Sequence, residues 1–269
     1  MVCRGRTSRL DRDTGGDYQK RITRPSSRAY FLLGGFLMKR AVRVLLIVVC
    51  IGLIAGLVYA RMDQGQDDVV GKLFSGNKSY CEDKPAPKNI GTERRQELTK
   101  GQHPFATVLT CSDSRVSPEY IFNQGLGDIF VVRVAGNVVE PTTLGSIEYA
   151  VEHLHTPLLV IMGHSQCGAV KAAVEATGEL EGNIGAILKK IKPAADSAKK
   201  AGKGPEETMD IAIHENIKNT YKDIMTNSKI ISEHVHAGKL KVVGAEYYLG
   251  NGRAEIIDLS ASWKPHQHN

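Results

Sequence analysis

From Phe105 onward, short apolar runs alternate with longer stretches in which apolar residues recur at helical spacing. Four of these runs are rich in Val, Ile and Leu and have the length of buried strands. A fifth follows the turn signal Gly250-Asn251-Gly252, which predicts an antiparallel return. The predicted strands are FATVLT (105–110), DIFVVRVAGN (128–137), the run that begins TPLLVIM at residue 156, KLKVVGAEYYL (239–249) and RAEIIDL (253–259).

Helical spacing marks most of the chain between these strands. Residues 143–154 predict one helix, and three more are predicted between the third and fourth strands, with breaks at Pro193 and at the glycines near 202–204. Pro205 suits the first position of the last of these helices. Residues 61–100 are also predicted to be helical, with a break at Gly76-Asn77 and a short helix that opens at Thr92.

This order of elements predicts an α/β fold: a mostly parallel central sheet with an antiparallel C-terminal edge strand, flanked by helices. Ligands of such sheets bind beyond the carboxyl ends of the strands. Two polar motifs, CSDSR (111–115) and GHSQCG (163–168), fall at such strand ends. We therefore expect the functional site at this edge of the sheet.

The N-terminal part has a different pattern. Residues 44–60 (VLLIVVCIGLIAGLVYA) carry no charge and follow a basic cluster. Residues 38–60 are therefore predicted to be a signal peptide or an uncleaved membrane anchor. We expect an exported, periplasmic or extracytoplasmic protein that meets the membrane only through this segment. Residues 1–37 are expected to be a non-globular extension, and residues 61–269 the functional domain.

The basic character of the chain belongs to its N-terminal part. Residues 1–43 hold 11 Lys and Arg against 3 Asp and Glu, whereas residues 61–269 hold 24 against 26. A nucleic-acid-binding domain needs a basic face on its folded part. The isoelectric point near 9.0 therefore does not indicate a nucleic-acid partner, and we expect none.

Three cysteines in the predicted domain are too few for a disulfide framework. Two of them, Cys111 and Cys167, stand at strand ends, and His164 precedes Cys167 at the spacing H-x-x-C. Thiolate and imidazole are ligands that zinc prefers, and catalytic zinc sites use three protein ligands where structural sites use four. The set favours a catalytic zinc site. A pair of buried thiols, or a Cys111–Cys167 disulfide, are the alternatives.

Asp113 and Arg115 follow Cys111 at a spacing of two, so that their side chains can point the same way. They can form an ion pair beside the metal, in which the guanidinium keeps the carboxylate ionised and oriented. A carboxylate in that position can accept a hydrogen bond from a zinc-bound water. This arrangement favours hydration or hydrolysis.

CSDSRVSP (111–118) and EYAVEHLHTPLLVIMGHSQCG (148–168) resemble the two signature stretches of the β-class carbonic anhydrases, and the similarity runs from about Gly71 to Leu259. The resemblance implies reversible hydration of carbon dioxide to bicarbonate and a proton, by a zinc-bound hydroxide. It also implies one Zn²⁺ per subunit and a homodimer or higher homo-oligomer.

Carried over residue by residue, the resemblance implies a role for nine side chains or backbone positions. Gln102 matches a glutamine that binds substrate across the dimer interface, Phe130 and Tyr149 match positions of the apolar pocket, and Gly168 follows the last ligand as the family's glycine does. The implied zinc ligands are Cys111, His164 and Cys167, the catalytic pair is Asp113 with Arg115, and the substrate-binding residues are Gln102, Phe130, Tyr149 and Gly168.

A subgroup of the family has an allosteric bicarbonate site, to which this chain has a partial match. Arg133 matches the arginine of that site, but Val108 stands where the subgroup has a tryptophan. We therefore do not expect this regulation.

Two other functions fit the same motifs. A related zinc hydrolase could act on carbonyl sulfide or carbon disulfide through the same metal site, with a different pocket. A non-catalytic zinc or redox-sensing module would also keep the ligands, and it would not need the carboxylate of Asp113.

Overall fold

The computed structural model describes residues 27–86, 88–178, 182–202 and 204–260. Contacts divide the chain into two units, one ending at Ala55 and the other beginning at Gly56. Of the predicted N-terminal extension, residues 1–26 lie outside the described part, as do residues 261–269 of the predicted domain.

Five strands form one sheet in the order β2-β1-β3-β4-β5. The first three pairs in this order are parallel, and β4 and β5 are antiparallel. The predicted α/β fold with an antiparallel C-terminal edge strand is confirmed. The strands are β1 (Ala106–Thr110), β2 (Ile129–Arg133), β3 (Leu158–His164), β4 (Lys241–Tyr247) and β5 (Ala254–Ile257).

Eight α-helices lie in the described residues. They are α1 (Ser27–Cys81), α2 (Thr92–Leu98), α3 (Pro118–Ile121), α4 (Pro141–Glu152), α5 (Gly168–Glu175), α6 (Gly182–Ala201), α7 (Pro205–Asn227) and α8 (Lys229–His236), with a short 3₁₀ turn at Ala135–Asn137. Four of them, not the predicted three, separate β3 from β4. The reason is Ser228, whose hydroxyl accepts a hydrogen bond from the Ile231 N–H and starts α8.

Both faces of the sheet are covered, which explains why β1 and β3 are buried along their whole length. On one face, Leu109 and Ile161 pack with residues of α4, α6 and α7. On the other face, Val108 and Val160 pack with Leu73 of α1 and with α3. Because alternate residues of a strand point to opposite faces, these short runs supply two cores at once.

The predicted break at Pro193 is wrong, because α6 continues through it. Proline removes one helical hydrogen bond. Pro193 is exposed, and the helix is held by buried residues on its other side, such as Leu188, Ile191 and Ala195. Packing of the apolar face of α6 therefore stabilises the helix by more than the lost hydrogen bond at Pro193 destabilises it.

The predicted break at Gly76-Asn77 is also wrong, because α1 runs through both residues to Cys81. Asn77 is buried, and its side-chain amide donates to the carbonyl of Ile121 at 3.1 Å and to that of Gly252 at 2.8 Å. A Cβ at position 76 would overlap the backbone carbonyl of Phe122. The pair is therefore a close packing contact between α1 and the segment after α3.

Gly76→Ala is expected to lower the free energy of unfolding by about 1–3 kcal/mol, because the added methyl group would force α1 away from the backbone at Phe122. Urea denaturation measures this. Gly71→Ala is the matched control, since it lies in the same helix with nothing within 4 Å of an added Cβ. The control is expected to raise stability by roughly 0.5–1 kcal/mol. Equal effects of the two substitutions would contradict the packing role of Gly76.

Candidate metal centre

Cys111, His164 and Cys167 meet at the carboxyl edge of the sheet. Cys111 directly follows β1, His164 is the last residue of β3, and Cys167 directly precedes α5. Because β1 and β3 are parallel neighbours, their carboxyl ends lie side by side. The two sulfur atoms and the imidazole nitrogen lie within 4.8 Å of one another. The structure thus brings the three predicted side chains together, and both cysteines are free.

The histidine ring is already oriented for a metal ion. Its Nδ1 lies 2.9 Å from the carbonyl oxygen of Ser165. Since a carbonyl can only accept, Nδ1 carries the proton and Nε2 keeps its lone pair. His164 is 0% exposed, and Nε2 has no hydrogen-bond partner among the residues that the structure describes. A buried acceptor without a partner is costly, and an ion at this point would satisfy it.

The donor set also fits zinc. Two sulfurs and one imidazole nitrogen are a combination that zinc takes readily, and hard cations such as Mg²⁺ prefer oxygen. Cys111 and Cys167 are 4% and 1% exposed. The three residues present therefore fit a zinc ion bound inside the protein.

The surroundings of Cys111 stabilise its thiolate. The neighbouring Cys167 side chain lowers the pKa of Cys111, and Cys111 in turn raises the pKa of Cys167. In addition, the backbone N–H of Gly136 donates to Cys111 Sγ at 3.3 Å. Thiolate is the form of cysteine that binds metal. The turn after β2 thus supports the ligand that follows β1.

Gly136 has a conformation that suits few other residues. Its φ is +69°, and an added Cβ would lie 2.6 Å from Ile191 Cδ1. Gly136→Ala is expected to lower the free energy of unfolding by about 1–2 kcal/mol, because L-residues are strained in the left-handed region. Urea denaturation beside Gly145→Ala, a helical glycine with open space around it, is the measurement. A loss no larger than that of the control would contradict this role.

Asp113 and Arg115 form a two-pronged ion pair beside the three ligands. Arg115 Nε donates to Asp113 Oδ1 at 2.9 Å and Nη2 donates to Oδ2 at 2.7 Å. The Arg115 guanidinium holds the pKa of the Asp113 carboxyl well below its usual range. Asp113 Oδ2 lies 3.9 Å from His164 Nε2. An ionised carboxylate therefore lies next to the unpartnered ring nitrogen.

The predicted substrate residues differ in position and exposure, and Phe130 lies opposite Thr107, in the first half of β2 and β1 and not at their carboxyl ends. The rings of Phe130 and Tyr149 have centroids 6.3 Å apart, and Tyr149 is 47% exposed. Gly168 begins α5 directly after the last ligand. Gln102 is exposed on the segment that leads into β1. Among the contacts described within this single chain, none joins Gln102 to the three ligands.

The backbone groups that support the candidate ligands could not be predicted from the sequence. The Gly136 amide and the Ser165 carbonyl act through the main chain, so residue type does not indicate them. The same is true of the contacts of Arg133: its guanidinium donates to the carbonyls of Cys111 and Asp113. The Gly-Asn pair at the end of the second apolar run was the one signal, since it marked a turn at this place.

The fold and the site together define the class of protein. Three buried donor atoms converge at the carboxyl edge of a parallel sheet, and a carboxylate–guanidinium pair lies next to them. This is an α/β protein with a group of side chains that could hold a metal ion, at the position where ligands of such sheets bind.

Comparison with known proteins gives the family. A family model described as carbonic anhydrase matches residues 106–254. The carbonic anhydrase of Mycolicibacterium smegmatis is 40% identical over 187 residues, which cover 68% of this chain and 89% of that protein. The chain therefore belongs to the carbonic anhydrase family.

Solved structures agree and identify the β class. The β-carbonic anhydrase CafA of Aspergillus fumigatus superposes with a TM-score of 0.58 at 29% identity, covering 63% of this chain and 82% of that one. A structure from Sordaria macrospora, described as one of two tetrameric β-carbonic anhydrases, gives a TM-score of 0.56 at 30% identity, with 61% and 85% covered. The resemblance noted from the two signature stretches is confirmed.

Proposed function

We propose that this chain catalyses the reversible hydration of carbon dioxide to bicarbonate and a proton, with one zinc ion per subunit. The observation that carries the proposal is the buried His164 ring, which has one nitrogen within 4.8 Å of the sulfurs of Cys111 and Cys167 and its Nε2 3.9 Å from Asp113 Oδ2. Membership of the carbonic anhydrase family supports the same reaction.

Cys111, His164 and Cys167 are the proposed zinc ligands. Zinc bound there would lower the pKa of a coordinated water, so that a nucleophile forms near neutral pH. The protein supplies three ligands, which is the number found in catalytic sites. The Ser165 carbonyl keeps the imidazole in the tautomer that leaves Nε2 free. The Gly136 amide steadies the Cys111 sulfur.

Asp113 and Arg115 are the proposed catalytic pair. The Asp113 carboxylate would accept a hydrogen bond from the attacking water, which directs the lone pair of that water toward carbon dioxide. Arg115 binds both carboxylate oxygens and keeps the group ionised. The pair would therefore orient the nucleophile. Because Arg115 already holds the Asp113 carboxylate in place, the pair would not need to reorganise during the reaction.

Phe130, Tyr149, Gly168 and Gln102 are the proposed substrate-binding positions. The two aromatic rings, which lie near each other, give an apolar surface that suits the uncharged substrate. Gly168 leaves open space beside the last ligand, since nothing lies within 4 Å of a Cβ built there. Gln102 is exposed and free to reach a second subunit.

We propose that the chain is a homodimer or a higher homo-oligomer. The Sordaria macrospora relative is described as tetrameric, and the exposure of Gln102 within one chain fits a role across an interface. Analytical ultracentrifugation of the purified protein tests this. A protein that is active and monomeric at assay concentration would overturn it.

We also propose that residues 38–60 direct export of the domain, either as a cleaved signal or as an anchor. The support is the uncharged run after a basic cluster and the change in charge balance at residue 61. In the described residues, no helix is long and apolar enough to span a membrane. N-terminal sequencing of the mature protein, together with cell fractionation, tests the proposal.

The test of the reaction combines metal analysis with kinetics. Purified protein is expected to hold one zinc per chain and to hydrate carbon dioxide in a stopped-flow pH-indicator assay. Carbonyl sulfide is the comparison substrate at the same zinc occupancy. Hydrolysis of carbonyl sulfide without hydration of carbon dioxide would favour the related hydrolase. Zinc binding without either activity would favour a non-catalytic module.

A further inference from the structure

Arg133 is the last residue of β2 and lies beside the end of β1. In the parallel register it pairs with Thr110, the residue that precedes Cys111. The next residue, Val134, donates its N–H to the Thr110 carbonyl at 3.0 Å and extends the ladder by one step. The backbone of β2 therefore fixes where the Arg133 side chain begins.

The Arg133 guanidinium bridges two carbonyl groups of the metal-binding segment. Its Nε donates to the Cys111 carbonyl at 3.1 Å, and its Nη2 donates to the Asp113 carbonyl at 2.6 Å. One carbonyl belongs to a proposed zinc ligand and the other to the proposed catalytic carboxylate residue. A planar fork of donors suits two acceptors at fixed positions, and a lysine ammonium offers no such fork.

The segment that carries these carbonyls has little other support from neighbouring strands. Residues 111–115 form no helix or strand. The other hydrogen bonds described for Asp113 join it to Arg115 and to the N–H of Val116, both within the same segment. Arg133 thus ties the backbone on both sides of Ser112 to β2.

We propose that Arg133 is a positioning residue for the hydration reaction: it sets the Asp113 carboxylate relative to the zinc ligands by holding the backbone of Cys111 and Asp113. The inference rests on the proposed function. Asp113 Oδ2 and His164 Nε2 lie 3.9 Å apart, and a shift of about 1 Å in a catalytic group can cost roughly a hundredfold in rate. The contacts described for the Arg133 side chain are with these two backbone carbonyls and not with the side chains of the proposed ligands.

This role differs from the one suggested by resemblance alone. The allosteric bicarbonate site needs a tryptophan, and in its place Val108 is 0% exposed within the core beside β3. The Arg133 donors Nε and Nη2 are engaged by the segment 111–113. The Arg133 side chain is therefore bound to the metal-binding segment of its own subunit.

The test uses the zinc-loaded full chain with Arg133→Ala and Arg133→Lys. Arg133→Ala is expected to lower kcat/KM for carbon dioxide by about 10–100-fold while the zinc content stays at one per chain, the range typical for loss of a group that orients a metal site. Millimolar guanidinium chloride is expected to restore part of the activity of Arg133→Ala, and sodium chloride at the same ionic strength is not. Arg133→Lys is expected to stay impaired, because its ammonium has no fork.

Arg95→Ala is the matched control. Arg95 also donates to a backbone carbonyl, that of Ile90 at 3.0 Å. Arg95 lies on α2, and its neighbour Arg94 binds Asp128. Asp128 directly precedes β2, whereas Arg133 ends it, so the control residue lies near the opposite end of this strand. Activity is expected to be unchanged in this control.

The possible outcomes separate the two proposals. Absence of carbon dioxide hydration in the wild-type protein would reject the proposed function. A wild-type protein that is active, with Arg133→Ala equally active, would reject the positioning role alone. A second result would also reject the role: the activity of Arg133→Ala falls by no more than its zinc content or thermal stability explains, and guanidinium does not restore that activity.

Discussion

Cys167→Ser is expected to abolish both zinc binding and carbon dioxide hydration. The substitution removes one of three buried donor atoms and replaces a soft sulfur by a hydroxyl that zinc binds poorly. The zinc affinity is expected to fall by more than the roughly 100-fold that loss of an outer supporting group costs. Metal analysis after dialysis against a weak chelator and the stopped-flow assay measure the two effects.

Cys81→Ser is the control for this substitution. Cys81 is partly buried at the end of α1, and its sulfur contacts the Asn77 side chain at 3.7 Å. It is expected to keep one zinc per chain and full activity. Full zinc occupancy and unchanged activity in Cys167→Ser would show that the Cys-His-Cys group is not the metal site.

Asp113→Asn is expected to lower kcat/KM by about 10²–10⁴-fold, the range for loss of a group that accepts a proton or hydrogen bond in the reaction. The amide has nearly the shape of the carboxylate but lacks its charge. Zinc binding should persist, because Asp113 is not one of the three proposed ligands. The two-pronged pairing with Arg115, at 2.9 and 2.7 Å, would be replaced by a weaker contact. Zinc content and carbon dioxide kinetics on the same sample separate the two effects.

Asp196→Asn is the matched control for a carboxylate in an ion pair. Asp196 pairs with Lys192 on α6 at 2.7 Å and both side chains are largely exposed, so the change should leave activity intact. Asp113→Asn with wild-type activity would favour a non-catalytic zinc module. The contrast between the two variants therefore distinguishes an enzyme from a metal-binding module.

The sheet and the position of the candidate metal ligands could be predicted from the sequence because the signals are local. Buried parallel strands appear as continuous apolar runs, and the glycines at 250 and 252 mark the antiparallel return between β4 and β5. Once the strands are assigned, the positions of their carboxyl ends are known. Cys111 and His164 are then expected at the same edge of the sheet. Chemistry then favours zinc for the donors found there.

The features that could not be predicted depend on contacts between distant segments. Gly76 and Pro193 are helix breakers by propensity, but packing against Phe122 and around Ile191 keeps both helices continuous. The two bonds from Arg133 require the register of β1 on β2, which residue types do not give. The Gly136 amide likewise meets Cys111 only because the turn after β2 lies beside the end of β1.

The placement of Cys111 and His164 at the ends of two neighbouring strands links metal occupancy to chain folding. The two residues are far apart in sequence, and an unfolded chain does not hold them together in space. A tight site therefore exists only after β1 and β3 have paired. Zinc bound there, as proposed, would favour the folded state in proportion to the logarithm of its free concentration over the dissociation constant. Depletion of zinc should therefore lower the melting temperature of the protein as well as its activity, and cells short of this metal should hold less of the folded protein.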